Sequence, residues 1–209
     1  MTGGAVEAAE GVAAGGKRAQ NQAARRRRVI EAATELAVHG GYESVQMRDV
    51  ADKAGVALGT LYRYFPSKDQ LLCAALVESA NDLHKRLAQK PPRGDTQADR
   101  LVDVLRRASR FLEREPQLTA AMVMALSSPD PATVEVKQEA FDVLHKIITT
   151  AVDGGDDEAR KGIVRTVGHV WFATLIQRAA GMGSPSTMSD DLETAGRLLL
   201  KGWNGAVTG

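Results

Sequence analysis

The 209-residue chain has one cysteine, so no disulfide can form within it, and that cysteine has no second thiol to respond to. Cys73 lies among Leu71, Leu72, Ala74, Ala75 and Leu76, a setting that predicts a buried core thiol and not a redox sensor. Apolar runs long enough to cross a bilayer are missing, and so is the basic start followed by an apolar stretch that marks a secretory signal. A cytoplasmic protein with no membrane partner is expected. The four histidines, His39, His84, His145 and His169, are scattered without metal-ligand or nucleophile-triad spacing. No metal, cofactor or catalytic residue is therefore expected, and a helical enzyme stands as a remote alternative. Period-two alternation is also absent, which disfavours a sheet and leaves an all-α chain. Residues 1–16, MTGGAVEAAEGVAAGG, hold no aromatic and little to bury, and are expected to form a disordered tail.

What is present is concentrated in 45–65, VQMRDVADKAGVALGTLYRYF. Met47, Val50, Ala51 and Ala54 recur at helical spacing, with Arg48, Asp49, Asp52 and Lys53 opposite them. Gly55 follows where a helix is left most cheaply through positive φ, and a second helix over 58–65 places Leu61 and Phe65 on one side. Pro66 stops it, and Ser67 is placed to cap the next. Two helices meeting at a sharp corner make a helix-turn-helix, which inserts its second helix into the major groove. Thr60, Tyr62, Arg63 and Tyr64 remain on the outer face of that helix, although the tyrosines could also be packing aromatics.

Total charge is only +1, but its distribution is uneven: 17–68 carries ten basic and five acidic residues, a net +5. A positive charge gathered at one end suits the phosphate backbone of double-stranded DNA. The Arg25 to Arg28 cluster belongs to this patch, with a solvated helix start as the plainer alternative. Leu58, Thr60 and Tyr62 are expected near bases, and Arg48, Tyr64, Lys68, Arg25 and Arg26 at phosphates. Gly59 would let the backbone approach the duplex.

The segment 25–76 resembles the TetR family of bacterial transcriptional regulators. It has the Gly41-Tyr42 corner, RDVADKAGV at 48–56 and GTLYRYFPSK at 59–68, in order and at the family's spacing. One departure is Gln46, where the family often has a Ser or Thr cap. Within the family, EPQLTAAM at 115–122 and RLLL at 197–200 look like a branch that represses steroid and cholesterol breakdown. The resemblance implies a repressor that binds a palindromic operator as a homodimer and is released by a small hydrophobic effector. In that branch the effector would be a steroid-derived acyl-CoA.

Beyond Ser67 the periodicity predicts helices over 68–87, 97–114, 117–127, 131–152, 157–181 and 189–203. The expected organisation is thus a tail (1–16), a three-helix DNA-binding head (17–67) and a larger helical body (68–209). Ile163, Val167, Val170 and Thr174 with Leu192, Ala195, Leu199 and Gly202 form stripes suited to a four-helix bundle across a two-fold axis, aided by small residues such as Ala206. The alternative is that these stripes bury within one subunit. Phe111, Leu118, Met122, Met124, Leu126, Phe141, Leu144, His145 and Trp171 are candidate walls of an effector pocket, or else plain core. An architectural DNA-binding protein without any ligand is the second alternative.

Overall fold

Alanine, charge and a few β-branched residues fill 17–40, a composition that favours a long helix. In the computed structural model, which describes residues 3–154, 156–182 and 184–201, with side chains outside 3–15 and 185–188, this helix is α1 (Gly3–Ser44). It bends at Gly41, whose φ of 65° requires glycine. The segment 3–16, expected as a tail, is drawn as a continuation of α1, whose alanines have the highest helix propensity.

From Val29 onward α1 packs inward, with Val29, Ile30, Ala33 and Ala37 buried. They belong to the face of α1 that packs against α2 (Met47–Ala54) and α4 (Lys68–Gln89), and α2 in turn packs against α3 (Leu58–Tyr64). Gln46 does not cap α2; its amide nitrogen donates to the Glu43 carbonyl instead. Gly55 closes that helix in the left-handed region (φ 64°, ψ 42°) and donates to Ala51 and Asp52. Ser67 caps α4 through Gln70 N–H. Leu61 and Phe65, four residues apart, are buried at 0% and 4% exposure and anchor α3 to the core. Each contributes about 1.5–3 kcal/mol of burial.

The body comprises the rest of α4 with α5 (Gln97–Glu113), α6 (Pro116–Ser127), α7 (Val134–Thr149), α8 (Asp157–Ala179) and α9 (Pro185–Leu199). A 3₁₀ turn at Pro131–Thr133 precedes α7, where the prolines block a continuous helix. The described residues contain no strand. No described helix is long and apolar enough to cross a membrane. α4 packs against α7 and α6, α6 against α1, and α9 against α5 and α8. Arg197 ties α9 to α5 by binding Asp99 at 2.9 Å while also pairing with Glu193 at 3.0 Å.

The expected subunit-interface stripe is divided between buried and half-buried positions. Ile163, Val167, Thr174 and Leu192 are buried, while Val170, Ala195 and Leu199 are half-buried. α8 is apolar on more than one side, so periodicity alone could not tell its inward face from its outward one. Among the described side chains, Ile176 and Leu198 are the large apolar ones left exposed on α8 and α9. Gly202 and Ala206, and the expected end of the last helix at Trp203, lie outside the described residues.

Candidate functional site

Two surfaces stand out, one on the outside of α3 and one inside the body. On α3, Tyr62 is 46% exposed, Arg63 and Gly59 are exposed, and Thr60 and Tyr64 are half-buried. A Cβ added at Gly59 would meet nothing within 4 Å, so internal packing gives no reason for a glycine there. Leu58 is half-buried against the core. Arg48 on α2 is exposed, and Arg25 shares a groove with Arg18, Arg63 and Tyr64. The outer face of α3 is thus cationic and aromatic, with no carboxylate among the residues of that groove.

Two expected phosphate ligands are engaged within the protein. Arg26 pairs with Glu78 at 3.2 Å and lies 5.2 Å over the Phe65 ring, so it ties α1 to α4 and holds the end of α3. Its side chain stays 42% exposed, and the guanidinium keeps N–H donors beyond the one bound to Glu78. Burial raises the Glu78 carboxyl above its ordinary range, against the lowering effect of Arg26. Lys68 donates to the Tyr42 carbonyl at 3.1 Å and sits 3.7 Å over the Tyr42 ring. Its remaining N–H groups stay available beside α3, since an ammonium has three donors. Tyr42 in turn donates to Asp69 at 2.5 Å, and burial followed by this carboxylate pushes its phenol far up. The Gly41-Tyr42 corner is thereby locked to the start of α4.

The second surface is a cavity of about 280 Å³ between α4, α5, α6, α7 and α8. Of the expected wall residues, Phe111, Met122, Leu126, Phe141, Leu144, His145 and Trp171 line it. Phe141 and Phe172 meet edge-to-face at 5.7 Å. Gly168 faces α7: a Cβ there would make ordinary contact, 3.5 Å from His145 Cδ2 and Nε2. Polar wall residues are Ser79, Thr119, Gln138, His145, Arg165 and His169, against a largely aliphatic and aromatic remainder.

Two candidates fall outside this cavity. Met124 is 48% exposed, and Leu118 is buried elsewhere. α6 is apolar on nearly every side, and residues two apart point roughly 200° from each other around a helix, so Met122 facing the cavity sends Met124 away from it. The residues of α4 that line the cavity, Leu76, Ser79, Ala80 and Leu83, belong to a segment whose sequence reads only as a linking helix. Their spacing of three and four was the available clue.

Comparison with known proteins adds what geometry alone leaves open. A family described as "Bacterial regulatory proteins, tetR family" matches residues 29–75, and one described as "Tetracyclin repressor-like, C-terminal domain" matches residues 94–199. The transcriptional repressor KstR of Rhodococcus jostii is 34% identical over 180 residues, covering 86% of this chain and 84% of that protein. The chain belongs to the TetR family. It is a TetR-type transcriptional repressor, not an enzyme. A TetR regulator structure from Rhodococcus sp. RHA1 superposes with a TM-score of 0.79 at 33% identity, covering 87% of this chain and 98% of that one. Thermus thermophilus FadR, solved with lauroyl-CoA, superposes with a TM-score of 0.64 at 25% identity, over 85% and 94%. In TetR terms α2 and α3 form the helix-turn-helix, and the cavity lies in the C-terminal region. Among the described residues no three histidine, cysteine or acidic side chains gather to hold a metal.

Proposed function

We propose that this TetR-type repressor binds a palindromic operator as a homodimer and is released by a small hydrophobic effector of the acyl-CoA class, with a steroid or fatty acyl body. The observation that carries this reading is that one helix serves both surfaces. α4 begins at Lys68 beside α3 and lines the cavity from Leu76 to Leu83, about 12 Å further along its axis. An effector that binds better when α4 is displaced moves α3 with it, and operator affinity falls by the differential free energy.

Tyr62 and Thr60 reach base edges, with Leu58 supporting them, while Arg48, Tyr64, Arg25 and the free donors of Lys68 meet phosphates. The open space around Gly59 allows the backbone to come close to the duplex. Pairing through the outer faces of α8 and α9, where Ile176 and Leu198 are exposed, presents two such helices to a two-fold site. The apolar wall fits the effector's body, and the exposed Arg165 and His169 at the wall fit an anionic head. The neighbouring cleft between α1 and α4 holds Glu31, Glu35, Glu78 and Asp82 against Arg27 and Arg86, and its net negative charge disfavours a polyanion there. A cytoplasmic location accompanies this function.

The test is selection of genomic fragments by the purified protein, footprinting at physiological salt, and titration with lauroyl-CoA and a steroid acyl-CoA. A short protected palindrome released by one of them is the expected result. Diffuse protection indifferent to both would replace the reading with an architectural one.

A further inference from the structure

The part of α1 that precedes the head's core carries an unanswered positive charge. Val29 is the first buried residue of the helix among those described, and every side chain from Lys17 to Arg25 is exposed. The match to the tetR family also begins only at residue 29. From Lys17 to Arg28 the sequence holds six basic residues and no acidic one. Like charges so dense on an exposed helix repel one another, and a helix without a packed face is marginal in water. An anion laid against this stretch would relieve both.

The structure gives that charge a shape. Arg18, Asn21, Gln22 and Arg25 recur at spacings of three and four, so they share one face of α1. That face is one wall of a groove whose other wall is Arg63 and Tyr64, at the end of α3. Arg63 lies 5.9 Å over the Tyr64 ring. Arg26 and Arg27 turn instead to Glu78 and Glu31. Within the groove no carboxylate is present, and the side chains of Arg18, Asn21, Gln22 and Arg25 hold no hydrogen-bond or ion-pair partner among the described residues. Three guanidinium groups, two amides and a phenol are all donors to anionic oxygen. Arg18 and Arg25 are about 10 Å apart along the helix axis, and a DNA strand places a phosphate every 3.4 Å or so of its own axis, so this wall matches roughly three phosphates.

We infer that the groove is a second DNA contact, which seats the sugar–phosphate strand just outside the half-site read by α3. Arg18 and Arg63 meet its phosphates, and the Asn21 and Gln22 amides donate to phosphate oxygens. The inference rests on the operator reading above and deepens it. Arg18 stands eleven residues ahead of Val29, about 16 Å along α1, so the contact lengthens the protected stretch and adds nothing to base reading.

The experiment uses the full chain and the operator that selection yields, as two duplexes. One is the palindrome with flush ends, and the other carries about ten further base pairs, one helical turn, at each end. The unaltered protein binds the flanked duplex about tenfold more tightly, and hydroxyl-radical footprinting shows the flanking backbone protected. Arg18→Ala combined with Gln22→Ala brings the two affinities within about twofold of each other, removes the outer protection and shallows the salt slope on the flanked duplex by about one. Arg18→Lys keeps the flank preference, because it keeps the charge. Both altered side chains are exposed, so an unchanged thermal midpoint accompanies these effects. Equal weakening of both duplexes overturns the inference, since a general loss of positive charge acts on both alike. Protection confined to the palindrome overturns it too, and either result leaves the operator reading intact. A protein that protects no defined site in either duplex fails the operator reading itself, and this contact falls with it.

Discussion

The head and the body are made of the same unit, an amphipathic helix with an aliphatic stripe, but they present their functional side chains on opposite sides. In the head, Val29, Val45, Val50 and Leu61 are at most 1% exposed, and the chemistry stands outside them on α3. In the body, the functional wall is the inner surface itself, where Met122 and Trp171 flank a space the protein leaves unfilled. An outward site tolerates polar substitution without loss of fold. An inward site is part of the core, so affinity and stability change together.

Substitutions can break or sharpen that contrast. Leu61→Ala empties a fully packed position, and an unfolding free-energy loss of about 2–5 kcal/mol is expected in denaturant titration, with operator binding lost in parallel. Met122→Ala removes a side chain that borders existing empty space, so its cost should fall near the lower end, about 2 kcal/mol, with effector affinity changed as well. Equal costs for the two would mean that the cavity is closed in solution.

Tyr62→Ala should leave stability within about 0.5 kcal/mol while lowering affinity for the preferred operator about tenfold and altering which operators are preferred, as competition binding would show. A marked loss of stability would mean that Tyr62 packs. Lys68→Ala is expected to weaken binding to every duplex by a few-fold and to shallow the slope of log affinity against log salt by about one. An unchanged slope would mean that its ammonium serves only Tyr42.

The smallest effect concerns acid stability. The Thr96 hydroxyl and then Arg197 hold the Asp99 carboxyl below its ordinary value of 3.8. Its contribution is therefore present above that pH and lost as pH falls through the lowered value. Asp99→Asn should slightly reduce the thermal midpoint near neutrality and make the difference vanish in acid.

The two regions are also unequally legible. The head's chemistry follows local rules: Gly55 must leave a helix through positive φ, Pro66 must stop one, and Leu61 and Phe65 four apart must share a face. Side chains on the opposite face then point away from that core, which is where Tyr62 stands, although spacing alone left it open as a packing aromatic. Lys68 and Arg26 are less legible, because their partners Tyr42 and Glu78 lie 26 and 52 residues away. Cys73 is legible from its neighbours. Burial raises its thiol to about 11, so slow reaction with thiol reagents at neutral pH is expected. In the body, seven of the nine expected wall residues line the cavity, but Met124 is not separable from Met122 on a helix apolar all round, nor the inner stripe of α8 from its outer one.

Sequence by itself determined the helices, their breaks and the outward face of α3, because caps, periodicity and φ preferences act over a few residues. Tertiary structure decided which apolar stripe of α8 is buried and where the cavity lies. Those outcomes depend on which helix packs against which, a choice made by the summed burial of distant faces and not by any local rule.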